Sequence, residues 1–227
     1  MPQTSAGLIS RAFAVYAKDL RLELRSRYGL NTLLMFSITT LAVVSYSLGQ
    51  SGLSPKLLSA IFWIIMFFSS IAGLAQVFIR EEEAGTSLAL RLTADPNAVY
   101  LGKLFFNLTL LFIMMVIITP LFFIFMDVPV DNVLLFALMV LLAVIALCAA
   151  TTLVAAIIAR AAVKGTLFAV VAFPIIVVPL MVLVGGGAKV FSGGSIGDVS
   201  SELQLLVAYS GVMVTASILL FKYVWQE

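Results

Sequence analysis

Long apolar stretches separated by short polar ones dominate the chain. Runs at about 31–49, 57–79, 104–126, 132–159, 165–184 and 203–222 are continuous rather than alternating. A helix rises about 1.5 Å per residue and the hydrocarbon layer of a bilayer is about 30 Å thick, so each crossing needs roughly 20 apolar residues. The pattern predicts six membrane-spanning helices. A closed β-barrel would show shorter segments of alternating polarity. The predicted fold class is an all-α polytopic membrane protein, with a cytoplasmic amphipathic segment at 1–30 and a six-helix transmembrane domain over 31–227. No sequence repeat or further domain boundary interrupts it.

Ahead of the first run, Ile9, Phe13, Tyr16, Leu20 and Leu24 recur every three or four residues, and Arg11, Lys18, Arg21 and Arg25 cover the other side. That spacing predicts a helix lying in the membrane interface, its basic face attracted by anionic lipid. It either serves only as an orientation anchor or also touches a partner subunit. The first run follows this basic segment as in a signal peptide, but it is too long and lacks a small-x-small cleavage site, so an uncleaved signal anchor is expected.

The charge pattern sets the topology. Only 11% of the residues are charged, against 63% hydrophobic. Arg11, Lys18, Arg21, Arg25, Arg27, Arg80, Arg91, Lys103, Arg160, Lys164 and Lys222 fall on one side of the six runs, and Lys56 and Lys189 on the other. By the positive-inside rule both termini are expected in the cytoplasm. Cys148, the single cysteine, lies inside a run and implies no disulfide framework.

Several chemistries lack their residues. The chain has no histidine, so Gly193-Gly194-Ser195-Ile196-Gly197, though it matches the G-x-S-x-G pattern, has no imidazole to serve as a base. Flexible connection is the better account of Gly185–Gly187 and Gly193–Gly194. No phosphate-binding G-x-x-x-x-G-K-[ST] occurs, so ATP hydrolysis is expected elsewhere. Charges lie at the ends of the runs rather than at mid-membrane, which disfavours an ion-driven carrier. Asp127 and Asp131 flank the third loop, and the sequon at Asn107 opens the third span near the cytoplasm and is discounted.

Within the runs, Ser69, Gly73, Gln76 and Arg80 share a helix face, as do Ser37, Thr40 and Ser47. Small and hydroxylated residues at this spacing allow close helix approach. Ser69, Gly73 and Gln76 either serve that packing or line a pathway or dimer seam. Pro120, Pro174 and Pro179 each remove a backbone donor and are expected to bend or interrupt their helices.

The densest charge follows the second run, in Ile79-Arg-Glu-Glu-Glu-Ala-Gly-Thr-Ser-Leu-Ala-Leu-Arg-Leu92. Acidic side chains are stabilised at helix N-termini and disfavoured at C-termini, so Glu81, Glu82 and Glu83 are expected to open a short new element. Gly85 supplies a bend, Thr86 or Ser87 caps a turn carrying Leu88 and Leu92, and Asp95-Pro96 starts the next helix. The segment is either a short cytoplasmic helix docking on a soluble partner or a solvated turn.

This segment, "YLGKLFFN" after it, "KDLRLELRSR" before the first run, "FMDV" and "FPIIVVP" together resemble the CcmB family, the haem exporter B permeases of cytochrome c maturation. The resemblance implies an architecture similar to ABC-2-type exporters: six helices, a second copy of the chain, and a separate ATPase subunit, CcmA. It also implies that Arg80, Glu81, Glu83, Gly85, Thr86 and Leu88 form a coupling helix against that ATPase, and that CcmC and the haem chaperone CcmE are partners. Leu88 and Ala89 stand where many members carry a further acidic residue. The expectation is a permease subunit for haem export or haem-chaperone release in the bacterial inner membrane. It binds no cofactor of its own, ATP is used by the partner, haem is a candidate substrate, and no nucleic acid is involved. The alternatives are an ABC-2 permease for a lipid, glycan or drug, and a membrane scaffold that transports nothing.

Overall fold

The computed structural model describes residues 7–49, 52–74, 81, 85, 86, 90, 92, 94–128, 131–158 and 164–226. Among them the chain is entirely helical: α1 (Leu8–Ser26), α2 (Tyr28–Leu48), α3 (Pro55–Leu74), α4 (Pro96–Met126), α5 (Val133–Ile158), α6 (Lys164–Phe191) and α7 (Ile196–Gln226). The last six are long and apolar enough to cross a membrane. Their Leu, Val, Ile and Phe side chains cover the outer surface as well as the core, as a lipid solvent permits. α4 and α5 supply most of the buried residues.

Several polar side chains inside the bundle bind one another or nearby carbonyls. Ser37 of α2 donates to Ser69 of α3 at 2.6 Å and lies 3.4 Å from the Met114 sulfur of α4, so three helices meet at one hydroxyl pair. Asn107 of α4 donates to the Thr152 hydroxyl of α5 at 2.8 Å, fully buried. Its sequon is therefore a packing contact.

Of the bend or interruption expected at the prolines, the structure shows no interruption. Pro120 lies inside α4, and Pro174 and Pro179 inside α6. A proline at position i frees the carbonyl at i−4, and the carbonyl freed by Pro179 belongs to Ile175. It accepts the Tyr209 hydroxyl of α7 at 2.8 Å, so the broken helical bond is replaced by one between helices.

Gly185–Gly187 also departs from expectation, since it lies within α6 rather than in a flexible connection. The reason is close approach. A Cβ at Gly187 would collide with the Ser59 hydroxyl and Trp63 indole of α3, and one at Gly186 would stand 2.6 Å from the Met139 methyl of α5. Beyond these glycines, Phe62, Phe122, Phe136 and Phe191 close the core with ring centroids 5.0–5.4 Å apart. Ser195 binds the Asp198 carboxylate through its hydroxyl at 2.7 Å and its backbone N–H at 2.8 Å. The G-x-S-x-G sequence is thus the start of α7, with Asp198 in its first turn.

Both chain ends of the bundle meet at the opposite pole. Tyr100, near the start of α4, packs on Phe221, near the end of α7, with centroids 5.4 Å apart. At roughly 46 Å by the 1.5 Å rise, α4 exceeds the hydrocarbon thickness, so its first turns extend past the apolar layer. α1 is laid along those turns.

Candidate functional site

α1 presents three faces. Ala12, Val15, Asp19 and Glu23 are buried, and the first three lie against α4. Ile9, Phe13 and Leu24 are 79%, 64% and 66% exposed, forming an apolar stripe on the outside of the protein. Arg11, Arg21 and Arg25 are exposed on a third side. Of the expected apolar stripe, Tyr16 and Leu20 pack partly against the core, and the buried face of α1 has no counterpart in the sequence reading.

The α1–α4 seam depends on Gly102. A Cβ there would stand 2.7 Å from the Ala12 carbonyl oxygen and 2.7 Å from the Val15 Cβ, closer than any side chain is tolerated. One residue further, Lys103 is 1% exposed in the helix, whereas the sequence placed it among the loop cations. Its ammonium lies 3.1 Å from the Asp19 carboxylate of α1 and 3.1 Å from Glu81. Lys18 binds Glu81 directly and lies 3.2 Å from Asp19. Among the described residues, two lysines and two carboxylates thus form a compact cluster that joins α1, α4 and the segment after α3.

Glu81 is itself helical, and Glu82 and Glu83, with which it was expected to open a short element, lie outside the described residues. Gly85 has φ 65°, and the Thr86 N–H bonds the Glu81 carbonyl at 3.0 Å. This six-to-one bond across a left-handed glycine closes a helical turn. The carboxylate is stabilised instead by the lysines and by the Thr86 hydroxyl, which donates to it at 2.7 Å. Beyond Thr86, the Leu90 N–H bonds the Thr86 carbonyl and the Ala94 N–H bonds the Leu90 carbonyl, both at 3.0 Å. The Asp95 carboxylate then accepts the Asn97 N–H at 2.9 Å, capping α4 ahead of Pro96 as expected.

Glu23 fixes the other end of α1. Arg27 turns the chain with φ 53°, and the Glu23 carboxylate accepts the Leu30 N–H at 2.8 Å. A negative charge thereby meets the exposed N–H groups at the start of α2. A Cβ at Gly29 would press on that carboxylate at 3.2 Å.

Of the residues singled out from the sequence, Glu81, Gly85 and Thr86 come together here. Ser69 is buried between α2 and α4, and Gly73 belongs to α3. Gln76, Arg80, Glu83 and Leu88 lie outside the described residues. Lys18, Asp19, Glu23, Gly102 and Lys103 were missed. The available signal was Asp19 and Glu23, four apart on an otherwise basic helix, with Lys103 at the edge of an apolar run.

Burial by itself would raise the Glu81 carboxyl, but the Lys103 charge and the hydrogen bonds from Lys18 and Thr86 outweigh it and hold the group at about 2, below the ordinary 4.5. Burial likewise opposes the Lys18 ammonium, yet its bond to Glu81 and the neighbouring carboxylates keep its pKa above 10.5. A carboxyl depressed by folding adds stability that is complete above its unfolded value and lost as pH falls through the folded one. The cluster should therefore hold from neutral pH down to 4.5 and loosen toward about 2. Spin labels at Ala14 and Phe105, both exposed, would report this in a Cys148→Ala background. The distance is expected to stay constant above 4.5 and widen below it, with a smaller acid response in Glu81→Gln.

Among the described residues no group of three metal-ligating side chains occurs. Fold and site define a multi-pass helical membrane protein whose polar machinery is a buried ionic joint at one pole of the bundle. The CcmB protein family model matches residues 10–223, nearly the whole chain, and the chain belongs to that family. It is therefore a transmembrane permease subunit of cytochrome c biogenesis, not itself catalytic. No curated protein matches it at a significant level.

Proposed function

We propose that the chain is the membrane subunit of an ATP-driven complex for haem export or haem-chaperone release, moved by the cytosolic ATPase CcmA through the segment around Glu81, Gly85 and Thr86. The observation that carries this reading is the clamping of Glu81 between Lys18 and Lys103. A push on this segment is delivered at once to α1 and to α4, the helix whose buried face runs the length of the bundle. The basic residues beside it support a cytoplasmic location for this pole and for both termini, by the positive-inside rule. Leu92, 79% exposed, offers an apolar contact beyond Thr86. A second copy of the chain completes the pathway, CcmC and CcmE act at the opposite face, ATP stays with CcmA, and haem is cargo rather than resident cofactor.

The test is ATPase stimulation when the chain and CcmA are reconstituted together. Proline cannot adopt the φ of 65° found at Gly85. Gly85→Pro is expected to lower stimulation at least about tenfold, a loss of about 1.4 kcal/mol or more in coupling, while membrane insertion is unchanged. Full stimulation by this variant would contradict the coupling role.

A further inference from the structure

Pro174 and Pro179 lie less than two turns apart inside α6. Neither has the N–H that would bond the carbonyl one turn back, and each ring crowds that carbonyl. The helix is therefore weakened between Val170 and Pro179. Beyond this stretch it is fixed. Gly187 lies against Ser59 and Trp63 of α3, Gly186 lies against Met139 of α5, and the Ser59 hydroxyl donates to the Val184 carbonyl at 2.8 Å. Leu183, Val190 and Phe191 are buried. Before the prolines, at the pole of the ionic joint, Val170 and Phe173 face outward, 64% and 55% exposed.

A hydrogen bond from another helix holds the weakened stretch: the Tyr209 hydroxyl of α7 donates to the Ile175 carbonyl at 2.8 Å. The Val184 carbonyl, which Ser59 reaches, also faces the N–H of Ala188 in the helical ladder, but the N–H that would bond Ile175 is missing at Pro179. In the apolar layer water cannot replace a missing donor, so the carbonyl depends on Tyr209.

We infer that α6 is a two-part arm. Its far half is the anchor, its near half swings about the Pro174–Pro179 stretch, and Tyr209 is the positioning residue whose hydroxyl latches it. Tyr209 shares α7 with Phe221, which packs on Tyr100 of α4, one turn from Lys103 in the ionic joint. A shift of α4 thus displaces the donor and releases the near half without disturbing the anchor. The inference rests on the coupling reading above for the force that opens the latch, whereas hinge and latch belong to this chain alone.

Two spin-label pairs on the full chain in nanodiscs, in a Cys148→Ala background, separate the two halves. Val170 with Ile157 of α5 reports the near half and Met181 with Leu134 of α5 the far half, all four positions being exposed. Tyr209→Phe keeps the ring and removes the donor. It is expected to raise the share of a second near-half distance about threefold or more, with the far pair unchanged. Pro179→Ala returns an N–H to the Ile175 carbonyl, so the double variant should recover the wild-type distances, a rescue that a packing role for Tyr209 would not give. With the cytosolic ATPase subunit and ATP added, the wild type should populate the same second distance. A near pair unmoved by Tyr209→Phe, an equal shift of both pairs, or no rescue by Pro179→Ala would each overturn the latch. Unchanged wild-type distances during normal ATPase stimulation would overturn the swing and leave the coupling reading standing. Absence of stimulation would overturn the coupling reading, with the latch still decided by the variants.

Discussion

Replacing Lys103 by methionine is expected to destabilise the protein by about 3–5 kcal/mol, because among the described residues it leaves Asp19 and Glu81 buried with Lys18 as their remaining cation. Methionine keeps the length and apolar stem of the lysine, so the loss is electrostatic rather than steric. Breaking one partner of a buried ion pair costs far more than the pair contributes, since the remaining charge stays out of water unpaired. The expected result is a lower thermal midpoint in detergent and an α1 that separates from α4, read from the spin-label distance described above. Adding Asp19→Asn removes the carboxylate left without its own cation and should recover most of the midpoint, with Lys18 still holding Glu81. A single Lys103→Met variant as stable as wild type would show that the cluster is not closed in the working protein.

Gly102→Leu should give the second large effect, by sterics alone. The position has no room for even a Cβ, because the Ala12 carbonyl is backbone and cannot rotate away. Overpacking of this kind costs about 1–3 kcal/mol when the neighbours can shift. The softest shift available is for α1 to lift, since it is held to α2 only through the Arg27 corner. Asp19 would then leave Lys103, and ATPase stimulation is expected to fall with the six spanning helices still inserted. Gly102→Ala should produce a smaller change in the same direction. Stimulation that survives Gly102→Leu while the spin labels report a displaced α1 would remove α1 from the coupling path.

Those two variants mark where sequence reasoning stopped. The six spans were legible because lipid demands continuous apolar helices, a requirement expressed residue by residue. The Asp95-Pro96 start of α4 was legible for a similar reason, as capping is local. Gly102 was not, because nothing near it in the chain shows that Ala12 will pass overhead. Gly186 and Gly187 suggested flexibility, although their partners on α3 and α5 require small residues in a rigid helix.

Charge was misplaced for a related reason. Asp19 and Glu81 are far apart in sequence, and Lys103 looks like any loop cation until α1 folds back on α4. Of the acidic triplet only Glu81 is among the described residues; the expected dipole rationale was local, whereas the structure satisfies Glu81 by tertiary pairing with Lys18 and Lys103.

The sequence by itself determined that this chain is a bundle of lipid-crossing helices with its cations gathered at one pole, because hydrophobic length and charge asymmetry are properties of the chain alone. Only the tertiary structure decided which glycines are contact points, which charges are buried, and that α1 is joined to the segment after α3. Those outcomes depend on distances between residues remote in sequence, and such distances exist only once the helices have packed.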